Sequence, residues 1–144
     1  MSPGKSSKMR AIKKKAELCN LRDLTDFVAN FAANSKMSDE SVSDIQLAVE
    51  ELLVNIIDYA FPNAEKGNIE IICSSMKKSL IIKIFDNGIP FNVNNAPNGD
   101  TGLSLDKREK GGMGIHIVRN LVDKIEYSGE NGRNTLTLTK GLGQ

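Results

Sequence analysis

The sequence lacks tryptophan and is poor in aromatic residues, which limits what can fill its core. Aromatic residues make up only 5% of the 144 positions, whereas hydrophobic residues as a whole make up 40% and charged residues 26%. This balance is typical of one globular domain and excludes a disordered or fibrous chain. The core must therefore be built mainly from isoleucine, leucine and valine.

Histidine and cysteine are also scarce, and their scarcity excludes several kinds of site. The single histidine, His116, rules out a multi-histidine metal centre. Cys19 and Cys73 are too few and too far apart for a disulfide framework or a zinc site. No apolar run approaches the roughly 18 residues of a membrane span, and no apolar segment resembling a signal peptide follows the basic N-terminus. We therefore expect a cytoplasmic protein that makes no membrane contact.

Acidic residues are absent from the first fifteen positions, which carry six lysines and arginines. The remaining residues carry 13 basic and 18 acidic side chains, a net charge of −5, which argues against direct binding of nucleic acid by the body of the protein. We expect residues 1–8 to form a flexible basic lead and residues 9–144 to form one domain that begins with an edge strand. A partner-binding or nucleic-acid-binding arm is the alternative interpretation of the lead.

Three segments have the apolar period of an α-helix. The first covers residues 18–31 and ends at Asn34-Ser35. The second begins near Ser38, a favourable N-cap, and ends before Pro62. The third is predicted over residues 115–122, directly after a group of glycines.

Two further pairs of segments are predicted to form β-hairpins. Residues 68–74 and 80–85 are rich in isoleucine and flank a polar turn, and residues 124–128 and 135–140 flank Asn131-Gly132, a strong hairpin signal. This order predicts an α+β fold, a two-layer sandwich whose mostly antiparallel mixed sheet has helices on one face. The long polar stretch at residues 92–110 is predicted to be a functional loop or lid.

The second helix carries polar side chains at positions that bear on function. Glu51, Asn55 and Asp58 are spaced so that they share one stripe of the helix. A solvated helix face is the simplest interpretation of this stripe taken alone. The functional alternative is a carboxylate and an amide oxygen directed into a cleft, where they could accept a proton and bind Mg²⁺.

Two glycine-containing motifs follow along the chain. Asp86-Asn87-Gly88 ends an isoleucine-rich segment; it is either a turn or a site where Asp86 accepts a hydrogen bond from an amine while Gly88 leaves room for a base. Gly111-Gly112-Met113-Gly114 opens the third helix, where backbone N–H groups can bind phosphate. A flexible hinge is the alternative for these glycines.

Taken in order, the three motifs resemble the ATP-binding boxes of the GHKL, or Bergerat, superfamily. Glu51 to Asn55 is similar to the N-box, Asp86-x-Gly88 to the adenine box, and Gly112-x-Gly114 to the box that follows the lid. The likeness is greatest to the branch of anti-sigma factors that are also serine-protein kinases. The resemblance covers about residues 17–140.

The resemblance implies a role for each matching residue. Glu51 would be the catalytic base for a substrate serine, and Asn55 would hold the Mg²⁺ that bridges the phosphates of ATP. Asp86 and Gly88 would bind adenine. The remaining nucleotide contacts would come from Lys110, Gly112, Gly114 and Thr135, the last through a water molecule.

The resemblance also implies a function and partners. The expected protein is an ATP- and Mg²⁺-dependent serine kinase that sequesters a sigma factor and phosphorylates a STAS-domain antagonist, and it is expected to form a homodimer. The alternative is an ATP-binding regulatory module that sequesters a partner without phosphoryl transfer. An ATP hydrolase and a detached sensor-kinase domain are weaker alternatives. His116 is interpreted as an ordinary helix residue because the chain has no room for a separate dimerising phosphoacceptor domain.

Overall fold

The computed structural model describes residues 8–62, 65–90 and 110–142. The predicted lead at residues 1–8, apart from Lys8, and the predicted lid at residues 92–110, apart from Lys110, lie outside these described residues. Lys8 itself already belongs to the first strand. Within the described part of the chain, no helix combines the length and the apolarity needed to cross a membrane.

In the part of the chain that the structure describes, three α-helices account for the segments with a helical apolar period. They are α1 (Leu21–Asn34), α2 (Asp39–Tyr59) and α3 (Lys110–Leu121). A 3₁₀ turn at Leu18–Asn20 precedes α1. The predicted N-cap of α2 is confirmed, because the Ser38 hydroxyl accepts a hydrogen bond from the Ser41 N–H at 3.1 Å.

Within residues 8–62, 65–90 and 110–142, five strands form a single sheet in which every pairing is antiparallel. They are β1 (Lys8–Lys15), β2 (Asn68–Ser75), β3 (Ser79–Asp86), β4 (Lys124–Glu130) and β5 (Arg133–Gly141). The spatial order is β1-β2-β3-β5-β4, so β1 and β4 are the edges. Both predicted hairpins are present, and Asn131 and Gly132 have the positive φ angles of 55° and 73° that a tight hairpin turn requires. The expected α+β class is thus confirmed, with an all-antiparallel rather than a mixed sheet.

The core lies between the sheet and the helices. Alternate side chains of β2, β3 and β5 are buried, as expected for a sheet that is covered on one face. They pack with buried side chains of α1 and α2 and with Val118 of α3. The largest fully buried side chains are all aliphatic: Leu24, Ile45, Leu52, Leu53, Ile69, Ile71, Leu80, Ile82, Ile84, Leu138, Val28 and Val49. This agrees with a core built almost without aromatic residues.

The third helix begins earlier than its apolar period indicates. It starts at Lys110, whereas the prediction places the first helical residue at Ile115. The glycines therefore lie inside the first turns of α3 and not before it. At its other end, α3 is joined to the sheet, because Lys140 donates from Nζ to the carbonyl of Leu121 at 2.7 Å.

Candidate functional site

Asn55 is a buried polar residue on α2. Its side chain is only 5% exposed, and neither Nδ2 nor Oδ1 has a hydrogen-bond partner within the described part of the chain. The predicted stripe is therefore not a uniformly solvated face, since Asn55 is buried between Glu51, which is half-buried, and Asp58, which is exposed. A buried amide without partners costs about 1–3 kcal/mol, so its retention in a core helix points to a ligand that supplies the missing bonds.

Asp86 is the last residue of β3 and is also buried, with 6% of its surface exposed. Its Oδ1 accepts hydrogen bonds from the Gly88 N–H at 2.8 Å and from Asn134 Nδ2 at 2.9 Å. Burial raises the pKa of Asp86 above its ordinary value of 3.8, and these two hydrogen bonds partly oppose that rise. Asp86 is thus a desolvated acceptor at the end of a rigid strand.

Gly88 is required by close packing against the end of α2. A Cβ atom at this position would lie 2.5 Å from the carbonyl oxygen and from the Cβ of Ala60. The chain after β3 does not turn back as a hairpin, because the second sheet neighbour of β3 is the distant strand β5. The motif therefore does not close a hairpin but forms a turn at the end of β3, closed by the hydrogen bond from the Gly88 N–H to Asp86 Oδ1, and packing against Ala60 supplies a reason for the glycine.

A cleft brings the two predicted acceptors together. It contains about 250 Å³ of empty space, including the part that is open to solvent, and its lining combines the end of α2 with residues of β3, β4 and β5. The lining residues are Asn55, Ile56, Ala60, Asp86, Ile89, Tyr127, Asn134 and Leu136. Only about 10 Å³ of this space can hold the centre of a water molecule, which is room for about one water, so the cleft must widen to admit a purine base.

Several other predicted residues lie on α2, which lines this cleft, and on α3. Glu51 is one helical turn before Asn55 on α2 and is half-buried. Lys110, Gly112 and Gly114 lie in the first turns of α3, which packs against α2. The first N–H groups of a helix have no partner within that helix, so those of Lys110 and Gly112 can donate to an anion, whereas the N–H of Gly114 lies beyond the first turn and does not have that freedom.

The predicted role of Thr135 does not match its position in the sheet. Its neighbour Asn134 is buried and lines the cleft, whereas Thr135 is half-buried and lies on the opposite face of β5. The reason is the two-residue period of a strand, which sends adjacent side chains to opposite faces. Thr135 therefore does not line the cleft, and the residue of β5 that contacts Asp86 is Asn134.

Asn134 and Tyr127 are the site residues that the sequence analysis missed. The Tyr127 hydroxyl donates to Asn134 Oδ1 at 2.6 Å, which connects the edge strand β4 to the network around Asp86. A polar residue at an inward position of β5 is the signal that could have identified Asn134. Reading that signal requires knowing which residues of β5 face the helices.

The residues present are compatible with Mg²⁺ held mainly by a nucleotide. Among the described residues, no group of three or more His, Cys, Asp and Glu side chains could hold a metal ion. Asn55 Oδ1 is one hard oxygen donor that has no hydrogen-bond partner in those same described residues. Mg²⁺ commonly uses one or two protein oxygens and completes its shell with phosphate oxygens and water, so a single amide donor fits this arrangement.

The fold and this cleft agree with the comparison of the chain with known protein families. The family model for the histidine kinase-like ATPase domain matches residues 15–140. The chain therefore belongs to the histidine kinase-like ATPase domain family, and the predicted resemblance to the GHKL superfamily is confirmed.

Curated relatives share about a quarter of their residues with this chain. It is 25% identical over 134 residues to the serine/threonine-protein kinase BtrW of Bordetella bronchiseptica, which covers 93% of this chain and 94% of that protein. It is 28% identical over 114 residues to the anti-sigma F factor of Clostridium acetobutylicum, which covers 78% of each chain. It is 24% identical over 109 residues to the serine-protein kinase RsbW of Listeria monocytogenes, with 73% of this chain and 69% of that protein covered.

Solved structures confirm the fold. The crystal structure of the RsbU and RsbW domains of Rv1364c from Mycobacterium tuberculosis matches 92% of this chain with a TM-score of 0.67 at 15% identity, and this chain spans 32% of that one. The histidine kinase AdeS of Acinetobacter baumannii matches 94% of this chain, and 70% of its own, with a TM-score of 0.54 at 16% identity. At these identities the likeness establishes the architecture alone.

Proposed function

We propose that this protein is an ATP- and Mg²⁺-dependent serine kinase that also acts as an anti-sigma factor. The observation that carries the proposal is the buried amide of Asn55, which has no hydrogen-bond partner among the residues that the structure describes and lies in the same cleft as the buried carboxylate of Asp86. Two acceptors of this kind suit the two ends of a nucleotide, because a carboxylate accepts from an amino group and an amide oxygen binds a hard cation. The names of the curated relatives support kinase and anti-sigma roles.

In the proposed transfer step, groups from three elements of the fold bind the nucleotide. Asp86 accepts a hydrogen bond from the amino group of the base, and Asn55 places Oδ1 toward the phosphates. The N–H groups at the start of α3 donate to phosphate oxygens. When bound, Mg²⁺ neutralises phosphate charge, which is the main requirement of phosphoryl transfer.

Glu51 is the proposed base because it lies one turn before Asn55 on the same rigid helix. Its carboxylate takes the proton from the substrate serine hydroxyl as the serine oxygen bonds to the γ-phosphorus and the bond to the β-phosphate oxygen breaks. The products are phosphoserine and ADP. Glu50 is the adjacent acidic residue, but it is exposed and lies on a different face of the helix from Glu51 and Asn55. It therefore serves as a matched control.

The proposed partners are a STAS-domain antagonist, which would be the phosphorylated substrate, and a sigma factor, which would be sequestered. The protein is proposed to act as a homodimer. The relatives named as an anti-sigma F factor and as a serine-protein kinase support the sigma-factor and kinase roles, whereas the STAS-domain antagonist and the homodimer rest on the family resemblance of the sequence motifs.

A transfer assay tests the proposal. The full chain is incubated with Mg²⁺, ATP and a STAS-domain protein encoded near its gene, and phosphoserine is measured by mass spectrometry. We expect phosphorylation by the wild type and by Glu50→Gln, and a loss of about 100-fold or more in Glu51→Gln, which is the usual scale of general base catalysis.

The two candidate functions give different results in this assay. A Glu51→Gln variant that binds ATP but does not phosphorylate the antagonist supports the kinase. A wild-type protein that binds ATP and a sigma factor but phosphorylates no antagonist supports the alternative, a regulatory module without transfer. A folded wild type that binds no ATP overturns both.

A further inference from the structure

Tyr127 and Asn134 have no task in the transfer step described above, but hydrogen bonds connect both of them to Asp86, which does. Asn134 is the register partner of Asp86 across β3 and β5. Its Nδ2 donates to Asp86 Oδ1 at 2.9 Å and also faces the carbonyl oxygens of Gly88 at 3.2 Å and Ile89 at 3.0 Å. The buried amide of Asn134 therefore connects β5 both to the Asp86 carboxylate and to the turn that follows Asp86.

The orientation of the Asn134 amide is fixed by its surroundings. Nδ2 faces three oxygen acceptors, whereas Oδ1 receives the hydroxyl of Tyr127 at 2.6 Å. A flipped amide would place Oδ1 against those three oxygens and would remove the Asn134 donor from each of them. Tyr127 thus favours the one orientation in which Asn134 donates to Asp86.

A glycine on the edge strand makes the Tyr127 contact possible. Gly129 lies opposite Asn134 in the register of β4 and β5. A Cβ atom at Gly129 would lie 2.2 Å from the Tyr127 hydroxyl oxygen, so any larger residue would displace the ring. The hydroxyl reaches Asn134 only because position 129 has no side chain.

The consequence for Asp86 is that one of its two oxygens is already used. The bonds from Gly88 and Asn134 both end on Oδ1, and Oδ2 takes part in neither. The plane of the carboxylate is therefore set by the protein, which leaves Oδ2 for a ligand. An ionised carboxylate can only accept, so this oxygen suits an amino group.

We propose that Asn134, held in place by Tyr127, is a positioning residue that makes Asp86 selective for purine nucleotides with a 6-amino group. The inference rests on the proposed nucleotide site. An Oδ2 atom held in one orientation binds a purine that has a 6-amino group more tightly than a purine that lacks it. A carboxylate that rotates freely loses most of this discrimination between the two purines. Sites that are built to hydrogen-bond one group reject analogues that lack it.

The test compares two nucleotides that differ only in this amino group. The full chain and its variants are titrated with ATP and with purine riboside triphosphate in Mg²⁺. We expect the wild type to prefer ATP by about tenfold or more, which is the scale of a hydrogen bond to a charged group. Asn134→Leu should remove most of this preference, and Tyr127→Phe and Gly129→Ala should each lower it by about threefold.

A merely structural role predicts a different result. Loss of packing alone would weaken both nucleotides equally and leave the ratio of their affinities unchanged. Thr135→Ala, on the opposite face of the same strand, is the matched control and should keep the wild-type ratio. Thermal unfolding of each variant establishes that it is folded.

Two outcomes overturn the inference. If folded Asn134→Leu keeps the wild-type ratio, Asn134 does not position Asp86, while the proposed function stands. If Asn134→Leu does not fold, Tyr127→Phe is used instead, because it removes one hydroxyl and keeps the ring. A wild-type ratio of the two affinities in Tyr127→Phe then overturns the inference. A wild type that binds neither nucleotide overturns the proposed function and this inference together.

Discussion

Gly88 packs directly against Ala60, so that the turn after β3 touches the end of α2. A Cβ atom at Gly88 would lie 2.5 Å from the Ala60 carbonyl oxygen, and the next residue, Ile89, donates its N–H to that same oxygen at 2.9 Å. The contact fixes the distance between Asn55, one turn earlier on α2, and Asp86 at the end of β3. Two sequence motifs that are far apart along the chain thereby become one site.

This contact predicts that Gly88→Ala is destabilising. The added methyl group would meet backbone atoms, which cannot move aside as a flexible side chain can, so we expect the free energy of unfolding to fall by about 1–3 kcal/mol. Urea denaturation measures the change. Gly141→Ala is the control, because its Cβ would lie 3.4 Å from the nearest atom, Asp123 Oδ2, and its effect should stay within about 0.5 kcal/mol. Equal stability of the two variants would contradict the packing argument.

Asn55→Leu is predicted to stabilise the protein without nucleotide while weakening nucleotide binding. The substitution removes a buried amide that has no partner in the described part of the chain, so we expect a gain of about 1 kcal/mol in the free energy of unfolding. The same change removes the proposed Mg²⁺ donor, so binding of Mg²⁺–ATP should fall by at least about tenfold.

The control for this prediction is Gln46→Leu, a similar change at a half-buried position on the same helix. It separates the effect of leucine on helix formation from the effect of the buried amide. A stability loss in Asn55→Leu would show that the amide has a structural partner in the protein in solution.

The buried carboxylate of Asp86 predicts a pH-dependent stability. Burial raises the pKa of Asp86 in the folded protein above its ordinary value of 3.8, so folding favours the protonated form. Its stabilising contribution is therefore complete below pH 3.8 and is lost as the pH rises through the raised pKa. Across that window the wild type should lose stability relative to Asp86→Asn.

Chemical denaturation at a series of pH values measures this difference, with Asp58→Asn as an exposed carboxylate on α2 for comparison. A constant difference between the wild type and Asp86→Asn at every pH would contradict a raised pKa. Because the ionised form is the acceptor for the amino group, ATP binding should weaken as the pH falls through the same window.

The two cysteines are predicted to react differently. Cys19 is exposed, whereas Cys73 is buried in β2, and burial raises the pKa of its thiol to about 12. Only a thiolate reacts readily, so a thiol reagent should modify one cysteine in the native protein and both in denaturant. Mass spectrometry of the labelled chain identifies the site, and Cys19→Ser should abolish native labelling. Rapid native labelling of Cys73 would show that this part of the sheet opens.

The sequence alone determined the elements and most of their ends. The apolar period located α1 and α2, Ser38 marked the start of α2, and Asn131-Gly132 marked the last hairpin. These signals are local, because each depends on backbone preferences and on the side chains of a few neighbours. The motif order then indicated the family, although the glycines concealed the true start of α3 at Lys110.

Only the tertiary structure decided which polar residues share the cleft. Asn55 could belong to a solvated face until α2 is packed against α3 and the sheet, and Thr135 could face the cleft until β5 is paired with β3. That pairing puts Asn134, not Thr135, beside Asp86, although the two residues are 48 positions apart along the chain. A shift of one residue in register would reverse the two faces of the strand, and register is set by burial of the whole sheet and not by the local sequence.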